Sequence, residues 1–277
     1  MSDLLKLGLI GDNIAASSAP RLHELAGRIM GRETRYLRLV PKEMELSMPG
    51  IFEKVRAEGY GGLNITYPYK EKVTALLEVP DPRVARIGAV NTVAFTPDGP
   101  KGYNTDFTGF IAGFRNAFGE RAPGPVCMIG AGGVGKAVAF GLIDLGLTRL
   151  TLVERDLPKA EALATALRAA APGLEVHVTG NAAEGSAGAS GLVNCTPVGM
   201  VGYGGTPLER PLMKGADWVF DAVYTPLVTP FLADAEAEGL AILSGYELFF
   251  YQGLHAVEIF HGRPVDEAAL RAALKEG

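Results

Sequence analysis

The chain has 277 residues, of which 48% are hydrophobic and 21% charged, and its formal net charge is −5. This composition is typical of a globular protein with a sizeable core, and it excludes a general attraction to nucleic acid or to anionic membranes. The sequence has no apolar run long enough to span a membrane and no N-terminal signal-peptide pattern, so we expect a cytoplasmic protein.

The first part of the chain alternates predicted strands and helices, which indicates an α/β domain. Strands are predicted at residues 5–10, 34–40, 61–66 and 89–95. Helices are predicted at residues 20–30, 42–58, 71–77 and 105–118. We expect Pro49-Gly50 to interrupt the second of these helices, because proline disfavours a helix interior.

The second part predicts a parallel sheet with helices between its strands, after a Pro- and Gly-rich break at residues 121–125. Cys127 and Cys195 both fall in predicted buried strands, so we expect two core residues and neither a disulfide nor a metal pair. Strands are predicted at residues 126–129, 150–153, 176–178, 191–195, 218–223 and 240–243. Helices are predicted at residues 136–145, 158–171, 229–238, 247–262 and 266–275.

The most specific motif begins where the strand at residues 126–129 runs into G-x-G-x-x-G at Gly130, Gly132 and Gly135. A helix follows, and the next strand ends in the acid Glu154, as the dinucleotide-binding fingerprint requires. Gly130 would allow a tight turn, Gly132 a close approach of the backbone to a pyrophosphate, and Gly135 close packing of helix on strand. A glycine-rich turn in an ordinary α/β sheet is the alternative, but the strand, helix and acid together favour nucleotide binding.

Glu154 follows Gly135 by 19 residues, where a carboxylate can accept hydrogen bonds from both ribose hydroxyls. A 2′-phosphate would be repelled by that carboxylate. The acid therefore predicts NAD rather than NADP.

Two charged residues are candidates for proton transfer. Lys70 lies in a predicted loop with Asn64 and Thr66, where its ammonium can donate a proton to a hydroxyl or carbonyl oxygen. Asp106 lies at the start of a predicted helix. Taken alone, Lys70 is more typical of a solvated loop lysine and Asp106 of a carboxylate at a helix N-terminus.

Two further positions suggest a site. Asn91 is predicted within a strand, where Asn is disfavoured, which indicates a function or a turn. Tyr224 follows a predicted strand at the edge where such sheets bind ligands. His255, Glu258 and His261 recur every three residues, which is not the H-E-x-x-H spacing, so no metal site is expected.

The chain resembles the shikimate/quinate dehydrogenase family along nearly its whole length. One matching stretch would be weak support, whereas eight in the family's order and spacing are specific. The matching stretches are residues 11–23, 64–70, 88–92, 104–106, 130–137, 194–200, 221–229 and 245–252.

The resemblance implies a role for each matching residue. Lys70 and Asp106 would be the catalytic pair, in which the lysine handles the proton of the reacting C3 oxygen and the aspartate holds and tunes it. The substrate carboxylate and ring hydroxyls would be bound by Ser17, Thr66, Asn91, Tyr224 and Gln252. The cofactor would be bound by Gly130, Ala131, Gly132, Gly133, Val134, Gly135, Glu154, Arg155, Thr196 and Met200.

This chain departs from the family pattern in its substrate loop. The family carries a His before the first serine and a Ser or Thr two places after it, where this chain has Ala16 and Ala19. One hydroxyl for the substrate carboxylate is therefore missing, although Ser18 is adjacent. The bulky run at residues 248–251 is expected to reshape the floor of the pocket.

A further departure concerns the cofactor. NADP-using members of the family typically carry Asn-Arg-Thr after the second strand of the nucleotide-binding sheet, and this chain has Glu154-Arg-Asp156. The acid favours NAD, while Arg155 stands where a phosphate-binding arginine would stand. We therefore expect NAD to be preferred, with some use of NADP.

Together these observations predict an α/β enzyme of two domains. Residues 1–106, completed by C-terminal helices at 247–277, would form an α/β substrate domain, and residues 107–246 a Rossmann domain with a doubly wound parallel sheet. The expected reaction is reversible, NAD(P)-dependent hydride transfer at the C3 hydroxyl of shikimate or quinate in the cleft between the domains. We expect a monomer or homodimer that acts on a small molecule, without a metal and without nucleic-acid or membrane partners.

Three alternatives stay open at this point. A catalytically idle sensor would keep the fold and bind NAD or a cyclohexene acid without turnover, and Ala16 and Ala19 are compatible with it. A related dehydrogenase would act on an amino-substituted, shikimate-like substrate. A methylene-tetrahydrofolate dehydrogenase would share the two-domain outline, but Asn91, Asp106 and Gln252 in register argue against it.

Overall fold

The computed structural model describes residues 4–276. The chain divides into two compact units, one of Met1–Thr105 with Gln252–Gly277 and the other of Asp106–Tyr251.

The first unit contains a mixed sheet of five strands. The strands are β1 (Leu5–Ile10), β2 (Thr34–Leu39), β3 (Gly62–Ile65), β4 (Thr92–Thr96) and β5 (Gly99–Tyr103). They lie in the order β2-β1-β3-β4-β5, in which β1, β2 and β3 are parallel while β4 and β5 are antiparallel to their neighbours. The helices between them are α1 (Ala19–Ile29), α2 (Pro41–Met44), α3 (Met48–Ala57) and α4 (Pro82–Ile87), with a 3₁₀ helix at Lys72–Leu76.

The core of the first unit lies against the face of its sheet. Leu7 and Leu9 of β1 are buried with Tyr36 of β2 and with Phe260 from the C-terminal part of the chain. A Cβ on Gly62 of β3 would overlap the ring of Phe260, so the absence of a side chain there lets the aromatic ring pack on the strand.

The second unit contains a sheet of six parallel strands. The strands are β6 (Val126–Ile129), β7 (Arg149–Val153), β8 (Glu175–Thr179), β9 (Gly191–Asn194), β10 (Trp218–Asp221) and β11 (Ala241–Leu243). Their order is β11-β10-β9-β6-β7-β8, which is the doubly wound arrangement with its switch point between β6 and β9. The remaining helices of the chain are α5 (Thr105–Phe118), α6 (Gly133–Asp144), α7 (Leu157–Ala170), α8 (Ala182–Ser186), α9 (Pro230–Ala237), α10 (Gly245–His261) and α11 (Glu267–Lys275), with a 3₁₀ helix at Arg210–Met213.

Aromatic rings from α5 pack on strand β10 of this sheet. Phe110 lies edge-on against Phe220 (5.1 Å between centroids) and Phe114 against Trp218 (5.2 Å). The indole N–H of Trp218 donates to the carbonyl of Pro123 (2.9 Å), so this fully buried tryptophan leaves no polar atom unpaired. The two sheets and their helices confirm the predicted fold class.

The predicted interruption at Pro49-Gly50 is wrong. The segment forms two helices, α2 and α3, which are separated at residues 45–47. Glu45 ends the first in a left-handed conformation (φ 52°), and the Ser47 hydroxyl accepts from the N–H of Gly50 (3.3 Å) at the start of the second. Pro49 therefore lies in the first turn of α3, where a missing N–H breaks no helical hydrogen bond.

The prediction that Asn91 lies inside a strand is also wrong, because β4 begins at Thr92. The sequence pattern did not predict α4, which has six residues, or β5, whose sequence GPKGY lacks strand-forming residues. Cys195 lies just beyond β9 and is half-buried, so of the two free cysteines only Cys127 lies in a buried strand.

Candidate active site

The turn between β6 and α6 has the geometry that the fingerprint predicts. Gly130 has a φ of +101°, which residues with a side chain rarely adopt. A Cβ on Gly135 would overlap the carbonyl oxygen of Gly130, so the helix can lie this close to the strand only with glycine there. A Cβ on Gly132 would meet no atom within 4 Å, which means that the space beside this residue is open.

Helix α6 begins at this open space. Gly132 is its N-cap and offers no side chain to the first turn. The backbone N–H groups of Gly133 and Val134 have no acceptor within the helix because they belong to its first turn. These donors and the positive end of the helix dipole suit a pyrophosphate.

Glu154 follows β7 directly, and protein donors hold both of its carboxylate oxygens. Oε2 accepts from the N–H of Ala131 (2.9 Å), and Oε1 accepts from the N–H groups of Arg155 (2.9 Å) and Asp156 (3.3 Å). The ammonium of Lys159 lies 3.5 Å from Oε2. Burial acts to raise the pKa of Glu154, but the hydrogen bonds and Lys159 outweigh it, so that the pKa lies below its ordinary value.

The bond from Ala131 joins the acid to the glycine turn. Ala131 lies between Gly130 and Gly132, so the charged carboxylate of Glu154 is held beside the turn that would carry the pyrophosphate. The ribose of a bound dinucleotide lies at this position in Rossmann folds. Arg155 is exposed next to it.

Thr196 and Met200 lie in the loop that follows β9. Asn194, at the end of β9, accepts from the N–H (3.0 Å) and the hydroxyl (2.7 Å) of Thr196. A Cβ on Gly130 would lie 2.8 Å from Cγ2 of Thr196, so Thr196 is adjacent to the glycine turn. Met200 is 37% exposed and is thus accessible to a ligand.

A buried carboxylate, Asp221, was not among the predicted site residues and accepts hydrogen bonds from three groups at this edge of the sheet. Asp221, at the end of β10, has no exposed surface. It accepts from Nδ2 of Asn194 (2.9 Å), the N–H of Val223 (3.0 Å) and the hydroxyl of Thr229 (2.6 Å). Burial raises its pKa, and the three hydrogen bonds oppose that rise. Polar residues at the ends of two adjacent buried strands, Asn194 and Asp221, were the available signal.

Tyr224 lies in the loop that begins beside Asp221. Its ring stacks on that of Phe249 (5.0 Å between centroids, 16° between planes). Burial raises the pKa of Tyr224, so its hydroxyl is protonated near neutral pH and can donate a hydrogen bond.

In the first unit, Lys70 lies in a loop whose backbone is fixed at both ends. The N–H of Thr66 donates to the carbonyl of Ile10 (2.8 Å), and the carbonyl of Lys70 accepts from the N–H of Val90 (2.9 Å). The structure therefore places Thr66 and Lys70 at the edge of the sheet where β1 and β3 end.

A contact that the sequence did not reveal supports the same loop. The hydroxyl of Tyr69 donates to Oδ1 of Asp12 (2.7 Å), and the ammonium of Lys42 lies 3.4 Å from the other oxygen of Asp12. The hydrogen bond from Tyr69 is the main cause of the lowered pKa of Asp12.

Asn91 lies at this edge too. Its carbonyl accepts from the N–H of Ile65 (2.8 Å), and its side-chain oxygen accepts from the N–H of Thr105 (2.7 Å). Asp106 follows Thr105 directly, in the first turn of α5, and is buried. The contacts of Asn91 explain why the chain leaves the strand pattern here, since its side chain bonds a residue 14 positions later.

The remaining predicted substrate residues belong to the first unit. The hydroxyl of Ser17 accepts from the N–H of Ala19 (3.2 Å) and keeps its own proton as a donor. Ser18 is the N-cap of α1 but its side chain makes no capping bond. Gln252 is half-buried in α10. Ser17, Thr66, Lys70, Asn91 and Gln252 thus belong to one unit, and Asp106, Tyr224 and the cofactor candidates to the other.

Residues 4–276 contain neither a candidate membrane-spanning helix nor a cluster of metal-binding side chains. In this part of the chain none of the helices combines the length and apolar character of a membrane-spanning segment. Nor do any three His, Cys, Asp or Glu side chains among these residues lie where they could hold a metal ion together.

Comparison with known proteins shows the family of this chain. The family described as the shikimate dehydrogenase substrate binding domain matches residues 9–93. The quinate/shikimate dehydrogenase (NAD(+)) of Corynebacterium efficiens is 37% identical over 276 residues, which cover 98% of this chain and 97% of that protein.

Solved structures agree with this match. The quinate dehydrogenase of Corynebacterium glutamicum in complex with NAD superposes with a TM-score of 0.93 and 33% identity, and all of both chains is covered. The shikimate 5-dehydrogenase of Thermus thermophilus in complex with NADP(H) and shikimate gives a TM-score of 0.84 and 33% identity, and 98% of this chain and 99% of that chain are covered. The protein is thus an oxidoreductase of the class that pairs a Rossmann sheet with a second α/β unit. It belongs to the shikimate/quinate dehydrogenase family, which confirms the resemblance seen in the sequence.

Proposed function

We propose that this chain catalyses reversible hydride transfer between NAD and C3 of shikimate or quinate, with the 3-dehydro acids as products. The observation that carries the proposal is the hydrogen bond from the N–H of Ala131 to Glu154. This bond holds a charged acid beside an open glycine turn, as an NAD site requires. The relatives from the two Corynebacterium species, one described as NAD(+)-dependent and one solved with NAD, support the same reading.

Oxidation of a secondary alcohol removes a hydride from carbon and a proton from oxygen, and bound NAD supplies the hydride acceptor. In our proposal Lys70 exchanges the proton with the C3 oxygen, and Asp106 holds and tunes Lys70. The fixed backbone of the Lys70 loop, bonded through Val90 and Thr66, supports this role because a proton-transfer group must be positioned within hydrogen-bond reach.

The substrate would be bound by five polar residues. We assign its carboxylate to Ser17, flanked by Tyr224, and its ring hydroxyls to Thr66, Asn91 and Gln252. The free proton of the Ser17 hydroxyl and the protonated Tyr224 are suitable donors to a carboxylate. Because this loop has Ala16 and Ala19 in place of family polar residues, we expect weaker binding of the carboxylate than in the typical members.

The cofactor would be bound by the glycine turn, by Thr196 and Met200 near the nicotinamide, and by Glu154 at the ribose. The negative charge of Glu154, with a pKa below its ordinary value, favours NAD because it repels a 2′-phosphate. Arg155 is exposed and adjacent, so we expect residual activity with NADP.

The direct test is the absorbance of reduced nicotinamide with purified protein. Shikimate and quinate are each supplied with NAD and with NADP in four separate assays. We expect turnover with NAD and slower turnover with NADP, and the better acid identifies the substrate preference. A protein that binds either acid calorimetrically but turns over neither, with both cofactors, would instead be the idle sensor that Ala16 and Ala19 left open.

We also propose that the protein acts in the cytoplasm as a monomer or homodimer. Both cysteines are free thiols, as expected in a reducing compartment. Light scattering on the purified protein would measure its oligomeric state, and a stable trimer or larger assembly would contradict the proposal.

A further inference from the structure

A chain of buried hydrogen bonds in the first unit joins strands β2, β3 and β4 to the start of helix α5. The hydroxyl of Tyr36 donates to Oδ1 of Asn64 (2.9 Å), and Nδ2 of Asn64 donates to the hydroxyl of Thr92 (3.0 Å). The hydroxyls of Thr92 and Thr105 lie 3.1 Å apart. We call Tyr36, Asn64, Thr92 and Thr105 the buried relay, and each of its members is at most 7% exposed.

The buried relay ends on the side chain of Asn91. Oδ1 of Asn91 lies 2.7 Å from the backbone N–H of Thr105, 3.1 Å from the Thr105 hydroxyl and 3.0 Å from the Thr92 hydroxyl. A carbonyl oxygen has two lone pairs, so the backbone N–H of Thr105 and one of the two hydroxyls are enough to use its full accepting capacity.

The orientation of this amide is determined by the backbone. The N–H of Thr105 can only donate, so the Asn91 atom 2.7 Å away must be the oxygen and not the nitrogen. A rotated side chain would direct its NH₂ group at that N–H and leave two buried donors facing each other. The nitrogen Nδ2 therefore points away from the buried relay, and within residues 4–276 it has no hydrogen-bond partner.

We propose that Asn91 presents only hydrogen-bond donors to the substrate and that the buried relay enforces this polarity. The ring substituent facing Asn91 must then be an acceptor, such as a hydroxyl or carbonyl oxygen, and a positively charged amine at that ring position is rejected. This inference rests on the proposed function, because it takes the ligand of this edge to be a hydroxylated ring acid.

The position of Asn91 supports the proposal. Its neighbour Val90 donates to the carbonyl of Lys70 (2.9 Å), and its own carbonyl accepts from the N–H of Ile65, which precedes Thr66 (2.8 Å). Asn91 therefore lies at the same sheet edge as two other residues assigned to the substrate, and its Nδ2 serves the ligand and not the protein core.

An ammonium has donors and no acceptor, so a bound amine cannot satisfy Nδ2 and would leave this donor unpaired beneath the ligand. The cost of an unpaired buried donor corresponds to about a 10- to 100-fold loss of affinity. We therefore expect the wild-type protein to prefer the hydroxyl ligand over the matching amine by at least about 10-fold.

The experiment compares shikimate with its two analogues in which the C4 or the C5 hydroxyl is replaced by an amine. Dissociation constants come from calorimetry, and kcat/KM from reduced-nicotinamide absorbance at neutral pH. The substitution Asn91→Asp supplies a carboxylate oxygen where Nδ2 stood and keeps an acceptor for Thr105. We expect this substitution to weaken the binding of shikimate and to strengthen the binding of one of the two amines. The amine that gains affinity identifies the ring position that faces Asn91.

A second variant pair tests the buried relay. Thr105→Val removes one hydroxyl but keeps the backbone N–H, and Thr105→Ser is the matched control that keeps both. We expect Thr105→Val to lower the preference for hydroxyl over amine about 2- to 10-fold, mainly through KM, and Thr105→Ser to retain it. A merely structural role for Thr105 would lower the affinity for both ligands equally and leave their ratio unchanged.

The outcomes separate this inference from the proposed function. Equal affinity of the wild type for shikimate and both amines, or a ratio unaffected by Asn91→Asp, overturns the inference even if shikimate is oxidised. A protein that binds shikimate with the expected preference but oxidises neither shikimate nor quinate upholds the inference and overturns the function. Absence of binding by all three ligands overturns both. The dissociation constant of NAD, which concerns the other unit, checks that each variant is folded.

Discussion

The two candidate binding edges of this molecule are built in opposite ways. In the second unit the glycine turn at residues 130–135 offers backbone N–H groups, and its glycines matter because they have no side chain. In the first unit the edge around Asn91 offers side-chain atoms, which the buried relay orients from three strands and the start of a helix. The first arrangement depends on space and the second on polarity.

This difference determines how each edge responds to substitution. At the glycine turn, one added carbon is enough to have an effect. Where the carbon meets protein atoms we expect lower stability, and where it enters open space we expect weaker cofactor binding. Around Asn91 and Lys70, a substitution acts by removing or reversing one polar group while the volume changes little. Variants of both kinds therefore test the comparison.

The largest effect is expected for Lys70→Ala. Removing a group that transfers a proton should lower kcat by about 10²- to 10⁴-fold. The dissociation constant of NAD should not change, because the cofactor candidates belong to the other unit. Steady-state kinetics and a separate NAD titration measure the two quantities. Retention of wild-type kcat would exclude Lys70 from the chemistry.

Gly135→Ala and Gly132→Ala form a matched pair at the turn. The new methyl on residue 135 would overlap the carbonyl oxygen of Gly130, so we expect the free energy of unfolding to fall by about 1–3 kcal/mol. The methyl on residue 132 meets no protein atom within 4 Å, so we expect unchanged stability and an NAD affinity that is at least about 10-fold weaker, on the scale of one lost hydrogen bond. Urea denaturation and an NAD titration distinguish the two, and equal behaviour of both variants would contradict the assignment of open space to the pyrophosphate.

Glu154→Gln is expected to change cofactor preference. The variant keeps an acceptor for the N–H of Ala131 but loses the negative charge. The kcat/KM with NAD should therefore fall, and the kcat/KM with NADP should rise relative to that with NAD. A hydrogen bond to a charged group is worth about 1.5–3 kcal/mol, which corresponds to about a 10- to 150-fold change in the NAD/NADP ratio of kcat/KM. Asp156→Asn is a control that changes a neighbouring charge and should leave that ratio nearly unaltered. An unchanged NAD/NADP ratio in Glu154→Gln would contradict the assignment of this carboxylate to the ribose.

The smallest expected effect is a dependence of the free energy of unfolding on pH, which arises in the first unit. His23 is buried against Tyr36, with 4.7 Å between ring centroids, and its Nδ1 has no partner within residues 4–276. Burial, and then repulsion from His261, lowers the pKa of His23 to about 3, while Asn64 acts in the opposite direction. The unfolded chain binds a proton at His23 near pH 6.5, so stability is present above this pH and is lost as the pH falls from 6.5 toward 3.

We expect the free energy of unfolding to fall by about 1.4 kcal/mol per pH unit below pH 6.5 on account of His23 alone. Urea titrations at pH 7, 6 and 5 measure the slope above the range in which most carboxylates titrate. His23→Leu should reduce the slope but not abolish it, because burial also lowers the pKa of His255. A slope that is equal in the wild type and the variant would show that His23 is not the group responsible.

Much of this protein follows from its sequence by local reasoning. The strand, glycine turn and helix of the dinucleotide motif lie within residues 126–144, and the acid follows after one more strand. Each of these elements is specified by its own residues, through apolar runs that form buried parallel strands and glycines that allow a positive φ. For the same reason the eight family motifs could be recognised in register, and with them the family and its oxidoreductase class.

Only the tertiary structure decided which polar side chains meet. Tyr36 reaches Asn64 across 28 residues, Asn91 reaches Thr105 across 14, and Asn194 reaches Asp221 across 27. Periodicity and motif spacing describe neighbours in the chain, whereas these contacts join residues of two separate strands, or the residue before a strand and the start of a helix. Asn91 could therefore be identified from the sequence as unusual for a strand, but its place before β4, and the orientation of its amide, depend on a backbone N–H that only the fold brings beside it.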